Sequence, residues 1–141
     1  MNTIKVKDYT KINEEFTAAA AITPGMLVEE TSAGKVQAHS TAAGAAQLMI
    51  ALEDELQGDE ISDAYSSGDP VQVWVPRRGD MANMILASGE DVSIGDALES
   101  DGNGRLRAET SGNVQIVAYA TEAVDLSDSG DTASRIIVRI A

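Results

Sequence analysis

The chain has no cysteine, one histidine and few aromatics: one tryptophan, three tyrosines and one phenylalanine in 141 residues. Without cysteine there is no disulfide framework and no thiolate chemistry, and the redox compartment leaves no mark on the sequence. With His39 as the lone histidine, a zinc site of the usual nitrogen and sulfur type cannot be assembled within one chain. The scarcity of aromatic rings argues against a carbohydrate-binding module, which stacks sugars on them. Basic residues are also scarce. Ten Lys and Arg face 23 Asp and Glu, a net charge of −13. Such a field repels phosphate backbones, so naked nucleic acid is not an expected partner. No apolar run approaches the roughly 20 residues a membrane-spanning helix needs, and no basic-then-apolar leader opens the chain. A membrane is not an expected partner either.

What is present is small-residue β sequence: Ala, Gly, Ser and Thr, cut at short intervals by Gly and Asp turns. The length suits one domain with a real core. Two stretches align without a gap, 23–39 and 93–109. Gly25 meets Gly95, Glu29 meets Glu99, Gly34 meets Gly104 and Ala38 meets Ala108. Thr23/Ser93, Val28/Leu98, Lys35/Arg105 and Val36/Leu106 are conservative pairs. Each stretch reads as a β-hairpin with a glycine turn before it, a glycine in its loop and a basic residue opening the return strand. Pro24-Gly25 has the form of a type II turn.

Strands are expected at about 26–30, 35–39, 48–52, 70–76, 81–87, 114–121 and 135–140. In the clearest of them Val71, Val73 and Val75 face one way, and Gln72 and Trp74 the other. Trp74 suits a core or a subunit interface. The four-alanine run at 18–21 is too short to nucleate a helix before Pro24-Gly25, so it reads as extended chain. Residues 40–47 read as a small-residue linker and 53–69 as a long acidic surface loop. The order of hairpin, apolar strand, acidic loop and strand occurs twice. The expected fold is therefore all-β: a small, partly closed β-barrel or sandwich built from two similar halves, spanning 16–141.

The first fifteen residues differ from the rest. Lys5, Lys7 and Lys11 sit here, and Ile4 and Val6 alternate with the lysines. The segment is either a frayed terminus or an extended arm that adds a strand to a neighbouring chain. If it is an arm, Ile4, Lys5, Val6, Lys7, Tyr9 and Lys11 are its candidate contact residues.

Constellations for catalysis are not assembled. The segment Asp125–Asp131 has the early spacing of a calcium loop, but Ile136 stands where the bidentate Glu belongs. Asp101-Gly102-Asn103-Gly104 puts Arg105 at the third ligand position. Both read as tight turns. His39, at the end of a return strand, reads as a surface or packing residue. The glycine pairs lack the rest of a dinucleotide or P-loop fingerprint. Arg78-Gly79-Asp80 spells an integrin-binding tripeptide, yet all three are ordinary turn residues. No cofactor and no metal are expected.

Three features in succession resemble the head decoration, or capsid cement, proteins of tailed bacteriophages. They are the basic N-terminal segment, the Phe16–Val28 run FTAAAAITPGMLV and the Gly95–Leu106 run GDALESDGNGRL. The resemblance covers most of residues 16–141. It implies a small β-barrel or β-tulip fold that forms a homotrimer on the outer surface of the phage head. There it would clamp the major capsid protein, with the N-terminal segment reaching the shell and no catalytic residues. The long loop 53–69 departs from the shortest members. The rival reading is a small-molecule-binding domain of the β-clip type, where a Pro-Gly turn and acidic loops also occur.

Overall fold

The computed structural model describes residues 1–9, 11–112 and 115–141. Among these there are thirteen strands and no helix. Before the first half of the chain comes β1 (Lys5–Lys7). The first half itself carries β2 (Asn13–Thr17), β3 (Val28–Glu30), β4 (Val36–Ala38), β5 (Ile50–Ala51) and β6 (Pro70–Trp74). The second half carries β7 (Met81–Leu86), β8 (Asp91–Val92), β9 (Ala97–Ser100), β10 (Leu106–Ala108), β11 (Ala118–Ala120), β12 (Val124–Asp125) and β13 (Ser134–Ile140). The expected strands are all present, mostly shorter at their ends. Val114, where one was expected to begin, lies outside the described residues.

The two halves repeat each other ladder by ladder. The hairpin pairs Val28↔Ala38, Glu29↔Gln37 and Glu30↔Val36 reappear as Leu98↔Ala108, Glu99↔Arg107 and Ser100↔Leu106. The β2–β6 register, from Asn13↔Trp74 to Thr17↔Pro70, reappears in β7–β13 from Met81↔Arg139 to Ile85↔Arg135. Ile50↔Trp74 and Ala51↔Val73 reappear as Tyr119↔Arg139 and Ala120↔Val138. The bridge Leu27↔Ile50 reappears as Ala97↔Tyr119, and Ile22↔Tyr65 as Val92↔Val124. Each half closes through one parallel contact, Ala18↔Val36 in the first and Leu86↔Leu106 in the second. The result is two small mixed five-strand barrels, each a ring without a free edge of its own.

Side-chain alternation fixes what fills each ring. The first barrel encloses Val28, Val36, Ala51, Val71 and Val73. The matching positions Leu98, Leu106, Ala120, Ile136 and Val138 belong to the larger core cluster. That cluster does not stop at the second barrel. It takes in Leu27, Ile50 and Trp74. Each of these adjoins an interior residue (Val28, Ala51, Val73) and so points out of the first barrel. One barrel's outer wall thus completes the other's core.

The lead-in turns form as expected. Met26 donates to the Thr23 carbonyl and Asp96 to that of Ser93, with Gly25 and Gly95 at φ of 91° and 93°. A positive φ of this kind strains any residue with a Cβ. Across the joint, Leu27 donates its amide to the Gly104 carbonyl and Gly104 donates to the His39 carbonyl. A Cβ on Gly104 would sit 2.9 Å from that of Ala38, so the close approach of the barrels itself demands glycine there.

Two expectations change. The N-terminal segment is not a free arm. Strand β1 lies antiparallel on β7, β2 is a stave of the first barrel, and Ile4 is 0% exposed within the larger cluster. An alternating apolar segment that finds an apolar socket in its own chain lowers its free energy more by docking than by fraying. The acidic loop is also not wholly at the surface. Glu53 and Asp54 are buried at its start, and Tyr65 is buried near its end, its hydroxyl donating to the Leu52 carbonyl at 2.5 Å.

Ile4→Ala should cost about 2–4 kcal/mol of unfolding free energy in urea titration. Deleting residues 1–15 should prevent cooperative unfolding, since three of the five residues of β2 leave with the deletion; unchanged unfolding would return the segment to the status of a free arm. Burial pushes the Tyr65 phenol from 10.0 up to about 12. The neutral form is the one the fold holds, so this contribution is complete below pH 10 and is lost as pH rises through about 12. The loss of stability over that interval should be smaller in Tyr65→Phe than in the parent chain.

Candidate functional site

The N-terminal strand is where the sequence pointed, and its six candidate residues separate in the fold. Ile4 is spent on the core. Its amide lies 3.3 and 3.2 Å from the two Glu53 carboxylate oxygens, and its carbonyl accepts from Asn83 at 2.8 Å. The register slips between Lys5↔Ala82 and Lys7↔Met81. A bulge of this kind re-aims the side chains that follow it. Val6 is consequently half-buried. The Lys5 ammonium is pinned, 2.7 Å from Asn13 Oδ1 and 5.3 Å over the Trp74 ring. Lys7, Tyr9 and Lys11 stand open, with Tyr9 65% exposed and the Lys7 ammonium 5.9 Å from its ring. Ile12 is exposed beside them. The outer edge of β1 carries no other strand among the described residues.

Asp80 holds the far end of this segment. Its carboxylate is 0% exposed and accepts from the Tyr9 amide at 2.9 Å and the Arg77 amide at 2.8 Å. The aspartate of Arg78-Gly79-Asp80 is therefore consumed internally and cannot be presented to an adhesion receptor.

An open cleft of about 460 Å³ lies next to β1, lined by Thr3, Lys5, Asn13, Leu52, Glu53, Asp54, Glu55, Leu56 and Gln72. Its one ammonium already has partners, and the rest of its charge is carboxylate.

His39 is a packing residue at the joint. Its Nδ1 is 2.6 Å from Ser100 Oγ and its Nε2 is 3.0 Å from the Ala45 carbonyl. The carbonyl can only accept, so Nε2 donates its proton to it. Glu29 Oε2 lies 3.8 Å from Nε2. Burial raises the Glu29 carboxyl, but hydrogen bonds from Ser40 and Gln37, with His39 nearby, outweigh it and hold the group below the usual carboxylate range. The second half repeats this arrangement, since Glu99 accepts from Arg107 and Thr110 at the positions matching Gln37 and Ser40. The Glu29/Glu99 identity was visible in the sequence; that both carboxylates tie down the return strand of a hairpin was not.

The two calcium-like segments behave as turns. Asp101 accepts from the amides of Asn103 and Arg105 and pairs with the Arg105 guanidinium at 2.9 Å. Asp125 accepts from the Ser127 amide and hydroxyl, which lower its pKa. Among the described residues no group of three or more His, Cys, Asp or Glu is placed to hold a metal ion.

Fold and surface together define a small tandem β-barrel domain whose inward-facing residues are committed to structure. A solved structure with this fold is the head fiber gp8.5 N base of bacteriophage phi29. It is similar with a TM-score of 0.62 over 94% of this chain and 95% of that one, at 12% sequence identity. At that identity the likeness is one of fold. No family model matches the sequence, and no curated protein matches it either.

Asp80→Ala should lower stability by about 2–3 kcal/mol, because two amides lose a charged acceptor. Protection of the Tyr9 amide from hydrogen exchange should fall in the same variant, and full protection would show that the strand is held by something else.

Proposed function

We propose that the chain is a structural, non-enzymatic protein of a bacteriophage head. In this reading it decorates the outer surface of the shell and reinforces contacts between major capsid subunits, as a homotrimer. The observation that carries it is the shared fold, over nearly the full length of both chains, with the base of a phage head fiber. The Phe16–Val28 and Gly95–Leu106 runs, which resemble those of head decoration proteins, support the same reading. The net charge of −13 suits a protein held at high local density on a particle, because like-charged surfaces stay soluble when crowded.

The attachment surface in this reading is the open part of the N-terminal segment. Lys7, Tyr9, Lys11 and Ile12 combine positive charge with apolar area, and the free edge of β1 can accept a shell strand. Ile4, one of the six candidate contact residues, is buried in the core and anchors the segment instead. Weak contacts of this size become firm attachment when an oligomer repeats them on a lattice. The cleft beside β1 would serve the rival reading, a small-molecule-binding domain, and ligand-dependent thermal shift over a metabolite panel separates the two.

Particles mixed with the protein and imaged by cryo-microscopy should show density on the outside of the head. Lys7→Glu combined with Lys11→Glu should reduce occupancy roughly tenfold without changing thermal stability. Bare heads with the parent protein would dispose of the proposal.

A further inference from the structure

We propose that a second copy of this chain docks head-to-tail on the outer wall of the second barrel, repeating between chains the joint that holds the two barrels together within one. The inference deepens the reading of the chain as a self-associating shell protein and rests on it in that respect. The interface itself follows from the internal repeat and not from the shell.

The joint is one-sided. The first barrel contributes one wall, Pro24, Gly25, Leu27, Ile50 and Trp74, all buried. The second barrel meets it with a different wall that includes Asn83, Ser100, Gly104 and Arg135. The Arg135 guanidinium donates to the Pro24 carbonyl at 2.6 Å, Leu27 bonds Gly104, and a Cβ on Gly25 would lie 2.9 Å from the Asn83 carbonyl. Because the halves share one register, each of these walls exists twice. A contact between unlike walls leaves one of each unused.

The unused walls are found where the register puts them. On the second barrel, the positions matching Pro24, Gly25, Leu27, Ile50 and Trp74 are Ile94, Gly95, Ala97, Tyr119 and Arg139. All but the half-buried Ala97 are exposed. Ile94 is 72% and Tyr119 43% exposed, two of the few large apolar side chains left in solvent. Isolated exposed apolar residues need no explanation. Two of them on the copy of a wall that is buried elsewhere in the same molecule do. On the first barrel, the positions matching Asn83, Ser100, Gly104 and Arg135 are Glu15, Glu30, Gly34 and Pro70, all exposed. A Cβ on Gly34 would meet nothing within 4 Å, whereas its counterpart Gly104 is packed against the neighbouring barrel.

Charge favours pairing these two open walls with each other. Arg139 stands opposite Tyr119 in the β11–β13 ladder on one wall, and Glu15 and Glu30 lie on the other. Neither wall suits itself: the first would oppose arginine to arginine, and the second glutamate to glutamate. The complementary contact is therefore heterologous, and such a contact closes into a ring when its rotation permits.

Light scattering of the purified full chain, with no capsid present, should give a discrete multiple of the chain mass. Ile94→Asp combined with Tyr119→Asp should keep the parent's circular dichroism and melting temperature but run as a monomer. Arg139→Glu alone should raise the dissociation constant roughly tenfold or more, and adding Glu15→Arg and Glu30→Arg to that chain should recover most of the loss. A monomeric parent chain at every concentration overturns the proposal. So does an oligomer that survives the Ile94/Tyr119 variant, or a charge reversal with no rescue. The decoration reading fails separately: an oligomer that leaves heads bare removes decoration and keeps this interface, while a monomer that coats heads does the reverse.

Discussion

Everything in this structure depends on the contact between the outer wall of one barrel and the open core of the other. A five-strand barrel with staves of two to seven residues encloses little. Its interior here is mostly valine, alanine and leucine, and a domain of about half this length buries too small a share of its surface to be secure. Leu27, Ile50 and Trp74 change that balance by joining the second barrel's core. Each large apolar side chain so buried contributes about 1.5–3 kcal/mol. The polar bonds of the joint, His39 to Ser100 and Arg135 to the Pro24 carbonyl, add direction more than energy. They also fix how the halves are set relative to each other.

The N-terminal strand extends the same joint. Ile4 enters the shared cluster, and the Glu53 carboxylate and Asp80 hold the strand's backbone on either side of it. The consequence is that this segment is at once part of the fold and an open basic surface on an acidic chain. Its lysines can face a partner only because its isoleucine does not. Exposed basic positions and positions that maintain the fold therefore alternate within a few residues.

Much of this was legible beforehand. The paired hairpins, the glycine turns that lead into them and the alternation of Val71, Val73 and Trp74 all emerge from local rules of turn chemistry and side-chain period. They survive in the structure almost unaltered. The duplication was visible through Glu29/Glu99 and the matched glycines, although the sequence likeness outside the hairpins is slight. Backbone register repeats where side chains do not: Trp74 and Arg139 occupy one position, as do Ile50 and Tyr119. The docked N-terminal strand and the buried start of the acidic loop were not legible. Each needs a partner far along the chain, Ala82 for Lys5 and Ile4 for Glu53, and no local pattern names it.

By itself, then, the sequence determined the kind of element at most places and the existence of two alike halves. Local conformation follows from residue type and period, and those are written in order along the chain. Which wall of which barrel would be hidden, and whether a lysine-rich segment would wave free or lie in a sheet, were decided only by tertiary structure. The reason is that burial is a property of pairs of surfaces. Leu27 and Ala97 share one place in the repeat, and only the packing of one barrel on the other makes the first a core residue and leaves the second near water.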